Sequence, residues 1–293
     1  MFYKKKLLVC KVCEFKGEFE VFRISIKEKK IPKGLVRKSL ETTTSYFCCT
    51  NCSSINYLER EENSQLDYQD ENYMENSNEY FYSSDFTEFL FKTFKNKPMK
   101  ILEIGPGSNG LFSHLKRKLN IKEISALESN KKLWKFTQNY NFQYSNLNQI
   151  DDRYDAIIGI GVLEHIEKPF KFLKELKMKN LEKNGLLVFQ YPNIGALNRF
   201  LMNNAWDMHH EPGHITIPSI KSFEINNFQI IKTITSTKLS RGRIPFYAKR
   251  GANIELKYKR LLEKNKLFKY FDKKIFKFLD KLNLGETITV ISK

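Results

Sequence analysis

The stretch that decides the fold runs from Ile101 to Gly107 and reads Ile-Leu-Glu-Ile-Gly-Pro-Gly. Its apolar residues are typical of a buried β-strand, and Gly105 and Gly107 predict a turn in which the backbone can approach a ligand closely. Glu103 stands two places before the first glycine. Because a carboxylate here would repel the pyrophosphate of a dinucleotide, the turn argues against a nicotinamide enzyme and favours a cationic ligand with an amino group.

Strand patterns and helix patterns alternate after this turn, which predicts an α/β fold. A helix at 111–119 should begin at the turn, and a second helix is predicted at 170–178. Further strands are predicted at 121–127, 141–144, 155–161, 186–189, 228–235 and 286–291, with an Asn184-Gly185 turn before the fifth strand of the set that begins at Ile101.

Two motifs resemble those of a known enzyme family. The glycine turn resembles motif I of the class I S-adenosylmethionine-dependent methyltransferases. The run Leu163-Glu164-His165-Ile166 resembles the motif after strand four in many small-molecule methyltransferases, including those that act on quinone precursors and sugars. The resemblance covers residues 98–236 most clearly. It implies a Rossmann-like seven-stranded sheet, closed by the two strands at the carboxyl end, and S-adenosyl-L-methionine as cofactor.

The resemblance also implies which residues bind the cofactor. Glu128 ends the second strand, 25 residues after Glu103, where an acid receives two ribose hydroxyls in a Rossmann-like site. Ser145 or Asn146 would have to contact the adenine, because the usual acid is missing there, and Asn109 replaces the third glycine that the family often has. The implied set is Glu103, Gly105, Gly107, Glu128, Asn146 and Gly161.

Four cysteines predict a metal site near the amino end. Cys10 and Cys13 form one Cys-x2-Cys pair, and Cys49 and Cys52 form another. Two such turns can complete a tetrahedral Zn²⁺ site. Cys48 is an alternative to Cys49 as ligand. No export signal is recognised, which argues against disulfides and makes a cytoplasmic location the expectation.

The segment around these cysteines is predicted to be a small structural module of residues 1–58. Phe19–Ile26 and Ser45–Phe47 have the pattern of a short hairpin. So short a segment buries little core, and a structural metal would supply the missing stability. The module resembles the small zinc-binding domains found ahead of some bacterial methyltransferase domains. An acidic connector and a lid helix are predicted for residues 59–97, and the methyltransferase domain for residues 98–293.

The net charge of +17 is concentrated near the carboxyl end. From Lys238 to Asn283 there are fifteen Lys or Arg against four Asp or Glu, within a basic helical insertion predicted at 237–285. Phe271, Ile275, Phe278 and Leu282 share one face of its helix. We expect this face to pack onto the sheet or onto a second subunit, as in a homodimer, and contact with a membrane surface is the alternative. No run of apolar residues predicts a transmembrane helix.

The histidines are candidates for the base that deprotonates the methyl acceptor. His210 and His214 lie between strands five and six, where the family builds its substrate pocket, and His165 is the third candidate. The expected acceptor is a small molecule or a sugar or glycan precursor, phosphorylated or lipid-linked, methylated on oxygen or nitrogen.

Two other functions stay open. The basic charge and the cysteine module favour an RNA methyltransferase. Against it, all cysteines lie before residue 53, which excludes carbon-5 pyrimidine chemistry, and Gly161-Val162-Leu163-Glu164 stands in place of the Asn/Asp-Pro-Pro-aromatic signature of exocyclic amine methylation. The other alternative is a non-catalytic partner protein with a methyltransferase fold, against which the intact glycine turn and its two acids argue.

Overall fold

The structure is a computed structural model that describes residues 4–26, 42–62, 91–92, 94, 99–107, 121–202, 206–209, 213–237, 261 and 264–293. The predicted helix at 111–119, Asn109, His210 and most of the predicted connector and lid helix lie outside these residues. The chain divides into two compact units. The first comprises residues 1–66, 192–222 and 234–288, and the second comprises residues 67–191, 223–233 and 289–293.

The described residues form twelve strands and four α-helices. The strands are β1 (Lys4–Val9), β2 (Lys16–Ile26), β3 (Thr42–Cys48), β4 (Ile55–Glu62), β5 (Met99–Ile104), β6 (Ile121–Leu127), β7 (Phe142–Tyr144), β8 (Tyr154–Ile160), β9 (Leu181–Pro192), β10 (Thr216–Ile217), β11 (Ile230–Ser236) and β12 (Thr287–Ser292). The helices are α1 (Pro169–Lys179), α2 (Leu197–Met202), α3 (Ile220–Ile225) and α4 (Lys266–Lys281). None of the helices described could span a lipid bilayer.

The seven-stranded sheet confirms the predicted methyltransferase fold class. Its strand order is β11-β12-β9-β8-β5-β6-β7, and β5 lies between β8 and β6, parallel to both. The side chains of Ile101, Leu102, Ile157 and Ile158 are fully buried, as expected of parallel strands covered on both faces. The carboxyl ends of β5, β6 and β8 therefore meet at one edge of the sheet, which we call the carboxyl edge.

The predicted turn at Asn184-Gly185 is wrong, because these residues lie within β9. The pairing of β8 with β9 shifts from Tyr154–Leu181 to Ala156–Leu186. The additional residues of β9 form an irregularity in the strand rather than a connection before it. An Asn-Gly pair indicates that unusual backbone angles are tolerated, and such angles occur in β-bulges as well as in turns.

The first unit contains a five-stranded sheet in the order β1-β2-β3-β4-β10. β2 and β3 pair antiparallel, with Phe22 opposite Tyr46, which agrees with the predicted hairpin. Phe19 stacks on Phe47 with ring centroids 4.6 Å apart, and both side chains are buried. The fifth strand, β10, comes from much later in the chain and pairs antiparallel with β4.

In the part of the chain that the structure describes, the apolar face of helix α4 is exposed. Of the two expected packings, the one onto the sheet is therefore wrong, and the one onto a second subunit stays a prediction. Phe271, Ile275, Phe278 and Leu282 are exposed. The opposite side of the helix is held instead, because Thr235 donates a hydrogen bond to the Asp280 carbonyl (2.8 Å) and Thr237 donates one to the Asp280 carboxylate (2.8 Å). These two bonds fix the rotation of the helix about its axis.

Candidate active site

The carboxyl edge brings together most of the residues predicted to bind the cofactor. Glu103 lies near the end of β5, opposite Ala126 of β6 and Ile158 of β8. Glu128 directly follows β6, and Gly161 directly follows β8. In open α/β sheets ligands bind in the crevice outside the carboxyl ends of the strands. The candidate active site of the second unit is therefore at this edge.

The glycines of the turn adopt backbone angles that other residues rarely reach. The φ angles of Gly105, Gly107 and Gly161 are +60°, +58° and +66°. The Gly105 N–H donates a hydrogen bond to the Leu127 carbonyl at 2.9 Å, which fixes the turn against β6. A Cβ on Gly105 would lie 3.1 Å from Val162 Cγ2. Both the angle and the space thus require glycine at position 105.

Glu128 is a buried carboxylate held by two backbone N–H groups. Its Oε2 accepts a hydrogen bond from Gly107 (3.2 Å), and its Oε1 accepts one from Asn130 (2.9 Å). Burial raises the pKa of Glu128, although both hydrogen bonds act in the opposite direction. The Gly107 bond ties this acid directly to the glycine turn.

Glu103 is the second buried carboxylate of the edge, and Tyr140 holds it. The Tyr140 hydroxyl donates a hydrogen bond to Glu103 Oε2, and both side chains are buried. Sequence reasoning missed Tyr140, because it lies in the irregular segment before β7, where no pattern indicates the direction of a side chain. A buried carboxylate is costly without such a partner, and Tyr140 supplies one at the carboxyl edge.

Asn146 and the motif at 163–166 complete the predicted set. Asn146 is exposed and precedes a short 3-10 helix, Leu147–Gln149, in which Gln149 Oε1 accepts the Asn146 N–H at 3.3 Å. Leu163–His165 also form a 3-10 helix, in which Glu164 is buried and His165 is half-buried. Burial, together with the charge of Glu164, raises the pKa of Tyr191.

A family model described as a methyltransferase domain matches residues 74–225, which is more than half of the chain. The chain belongs to this methyltransferase domain family. It is an S-adenosylmethionine-dependent methyltransferase, as the glycine turn predicted. No curated protein matches the sequence significantly.

Solved structures of methyltransferases resemble the chain at low identity. One, from the complex of the Haloferax volcanii Trm112 methyltransferase activator with the putative methyltransferase, has 10% identity and a TM-score of 0.50, over 76% of this chain and 91% of that chain. Coclaurine N-methyltransferase bound to N-methylheliamine and SAH has 16% identity and a TM-score of 0.46, over 73% of this chain and 74% of that chain. At 10% identity, the first of these structures shows the fold alone.

The carboxyl edge of this methyltransferase fits the cofactor of its family. S-adenosylmethionine has a cationic amino group, a sulfonium centre and two ribose hydroxyls, whereas it has no phosphate. The edge offers two buried carboxylates, Glu103 and Glu128, and a glycine turn. Carboxylates accept hydrogen bonds from both amino and hydroxyl groups, so the donors of the ligand and the acceptors of the edge are complementary.

In the first unit, His209 and His214 are linked through Tyr57 and the Met208 carbonyl. His214 Nδ1 is 3.0 Å from the Met208 carbonyl, and the Tyr57 hydroxyl donates to the same carbonyl at 3.1 Å. The Tyr57 oxygen also lies 3.0 Å from His209 Nδ1. Because a carbonyl only accepts, His214 donates from Nδ1, and in the neutral imidazole the lone pair is then on Nε2. Sequence reasoning identified His214 but missed Tyr57, which comes from β4 of a distant segment.

The four predicted cysteines form one cluster. The Sγ atoms of Cys10 and Cys52 are 3.7 Å apart, as are those of Cys13 and Cys49, and all four lie within 4.8 Å of one another. A Zn–S distance of about 2.3 Å implies S–S distances of about 3.8 Å in a tetrahedral site. The thiols therefore stand where tetrahedral ligands would stand. Cys48 is not in the cluster, and its Sγ is 3.8 Å from Arg199 Nη2.

The two cysteine turns have the same backbone design. The Glu14 N–H donates to the Cys10 carbonyl (2.8 Å), and the Ser53 N–H donates to the Cys49 carbonyl (2.7 Å). Glu14 and Ser53 both have positive φ angles, 59° and 63°. Burial raises the pKa of Cys49 to about 11, whereas the hydrogen bond with Cys52 lowers that of Cys10 to about 5. A divalent cation would let all four become thiolates, since its charge reverses the effect of burial.

Proposed function

We propose that this methyltransferase transfers a methyl group to oxygen or nitrogen of a small molecule or of a sugar or glycan precursor. The observation that carries the proposal is the pair of buried carboxylates, Glu103 and Glu128, joined by a glycine turn at the carboxyl edge. The small-molecule class is supported by the resemblance of the Leu163–Ile166 motif to methyltransferases of quinone precursors and sugars.

The residues of the carboxyl edge hold the cofactor in this proposal. Glu103 accepts hydrogen bonds from its amino group, and Glu128 accepts them from the ribose hydroxyls. Gly105, Gly107 and Gly161 let the backbone approach the cofactor closely, and Asn146 contacts its adenine. The bound cofactor supplies an electrophilic methyl group, so the protein contributes position and a base for the acceptor.

The base is proposed to be a histidine, with His214 first and His210 and His165 as the other candidates. The Met208 carbonyl orients the His214 ring by accepting its Nδ1–H. The Nε2 lone pair can then take a proton from a hydroxyl or amine. The four cysteines Cys10, Cys13, Cys49 and Cys52 bind a structural Zn²⁺ in the same proposal, supported by their tetrahedral spacing.

The test combines calorimetry with a search for the acceptor. S-adenosylmethionine is titrated into the protein, and turnover of a methyl-labelled cofactor is then followed in pools of small metabolites, with products identified by mass. Heat of binding and a methylated small molecule are expected. No heat at high cofactor concentration would favour a non-catalytic partner protein. Labelled RNA, with binding that weakens steeply as salt rises, would favour the RNA alternative.

Replacing the proposed base should lower turnover without loss of cofactor binding. We expect His214→Ala to lower kcat about a hundredfold or more, because a positioned base contributes about 10²–10⁴-fold. The measurement is kcat on the acceptor found above, with calorimetry of S-adenosylhomocysteine as the control. Full turnover in the His210→Ala/His214→Ala double variant would exclude both residues as the base.

Cofactor affinity should depend on pH through Glu128. Its raised pKa means that protonation begins at a higher pH than for an ordinary glutamate, and the protonated form accepts ribose hydroxyls less well. Affinity for S-adenosylhomocysteine is therefore expected to be full above this pKa and to fall as the pH falls through it. Calorimetry between pH 5 and pH 8 measures this dependence. Glu128→Gln should bind more weakly and lose that part of the slope.

The same raised pKa has the opposite sign for stability of the free protein. The folded state takes up the proton more readily than the unfolded state, so protonating Glu128 favours folding as the pH is lowered between the two pKa values.

For cofactor binding, an unchanged pH dependence of the affinity in Glu128→Gln would show that a group other than Glu128 controls that dependence.

A further inference from the structure

Helix α4 has an apolar stripe that stays exposed in the part of the chain that the structure describes. Leu267, Phe271, Ile275, Phe278 and Leu282 are spaced by four, four, three and four residues, which puts them on one helix face. Each of these side chains is more than half exposed. Helices of folded domains normally bury such a stripe, and large exposed apolar patches mark interaction sites.

The acidic residues of the helix lie on its inner side. Asp272 is buried, and Asp280 accepts hydrogen bonds from Thr235 and Thr237. The usual arrangement, with charge outside and apolar residues inside, is therefore reversed. Because two hydrogen bonds hold Asp280, turning the stripe inward would break them and would place the buried Asp272 outside.

Lysines accompany the stripe on the outer surface. Lys266, Lys274, Lys277 and Lys281 are all exposed. Lys274 lies over the ring of Tyr270, with its Nζ 5.4 Å from the centroid. With both aspartates of the helix on the inner side, the described outer side chains of α4 carry positive charge without an acid among them.

We propose that the outer face of α4 docks on the surface of an anionic lipid bilayer. An amphipathic helix of low mean hydropathy, with Leu and Phe on one face and Lys beside them, is the kind that lies in the membrane interface. The apolar stripe enters the headgroup region, while the lysine stems extend along it and their ammonium groups meet lipid phosphates. The helix lies parallel to the surface, and about 24 Å of its length can make contact.

A second copy of the chain fits this face less well than lipid does. In a two-fold symmetric contact the same patch meets itself, so the lysines of one copy would approach those of the other. No acid on the described outer face of α4 compensates for that repulsion. An anionic bilayer, in contrast, satisfies the apolar stripe and the lysines together.

The experiment is co-sedimentation of the purified 293-residue chain with vesicles. Vesicles of phosphatidylcholine alone are compared with vesicles containing phosphatidylglycerol, at low and at high salt. We expect binding to the anionic vesicles, weakened by salt because the lysines contribute. Lys274→Glu/Lys277→Glu should reduce the partition coefficient at least about thirtyfold, since each lysine near the surface contributes about a fivefold factor.

Matched control variants distinguish vesicle binding through the outer face of α4 from nonspecific adsorption of the protein to vesicles. Lys122→Glu/Lys183→Glu changes the net charge equally at exposed positions of the second unit, and it should retain nearly full binding. Phe271→Ser/Phe278→Ser should lower binding more than tenfold, whereas Phe142→Ser, at another exposed phenylalanine, should not. Circular dichroism and the melting temperature verify that each variant is folded.

The proposal concerns binding alone and does not depend on the methyl acceptor. It is overturned if the wild-type protein does not bind anionic vesicles at low salt, or if the control variants lose as much binding as the α4 variants. It is also overturned if the protein forms a dimer that Phe271→Ser/Phe278→Ser abolishes and that does not sediment with vesicles.

Discussion

Removing the Zn²⁺ proposed for the cysteine cluster is expected to unfold the five-stranded sheet. Binding of a structural Zn²⁺ is worth about 10–16 kcal/mol in small domains. This free energy is comparable to the whole stability of a domain, about 5–15 kcal/mol. Cys10 and Cys52 are fully buried, and they lie in the turns that connect β1 to β2 and β3 to β4. Without a cation, the four thiols would lie close together with no bond between them, and the two turns would no longer be linked.

The measurement is metal content together with unfolding. Elemental analysis should find one zinc per chain, and a chelator or Cys10→Ser should remove it and lower the melting temperature by more than 15 °C, since about 1 kcal/mol corresponds to a few degrees. Cys48→Ser is the matched control, because Cys48 contacts Arg199 and lies outside the cluster. Equal effects of Cys10→Ser and Cys48→Ser would contradict the four-cysteine site.

Replacing the first glycine of the turn is expected to weaken cofactor binding strongly. In Gly105→Val, a β-branched residue would have to adopt a φ of +60°, which costs about 1–3 kcal/mol, and its Cβ would press against Val162. The valine side chain would also occupy space at the carboxyl edge. We expect the affinity for S-adenosylhomocysteine to fall at least about a hundredfold, the equivalent of about 2.7 kcal/mol.

Calorimetry measures the affinity, and the melting temperature without ligand distinguishes a blocked site from an unfolded one. Gly105→Ala should give a smaller loss, because alanine keeps the strain but adds less volume. Gly195→Ala is the control, since Gly195 is not among the glycines with positive φ and belongs to the other unit. Tight binding by Gly105→Val would place the cofactor elsewhere.

The sequence predicted what depends on residues close together along the chain. Ile101–Gly107 could be identified as a strand and turn, because apolar strand residues and paired glycines are a local signal. The spacing of Cys10 with Cys13, and of Cys49 with Cys52, likewise predicted a cluster that the geometry now displays.

What could not be predicted depends on long-range packing. Tyr140 reaches Glu103, and Tyr57 reaches Met208, across 37 and 151 residues. Helix α4 shows a different limit. Its periodicity gave the apolar face correctly but not the direction of that face, which is decided by the hydrogen bonds of Thr235 and Thr237 to Asp280.

The pairing of β4 with β10 has a consequence for folding during synthesis on the ribosome. Ile55 and Ile217 are partners although about 160 residues separate them along the chain. At about 5–20 residues per second, the edge of β4 waits roughly 8–30 seconds for its neighbour to be synthesised. An open strand edge is a template for wrong pairing during that time. The cysteine turns can form at once, so early metal capture would keep the nascent sheet in register until β10 arrives.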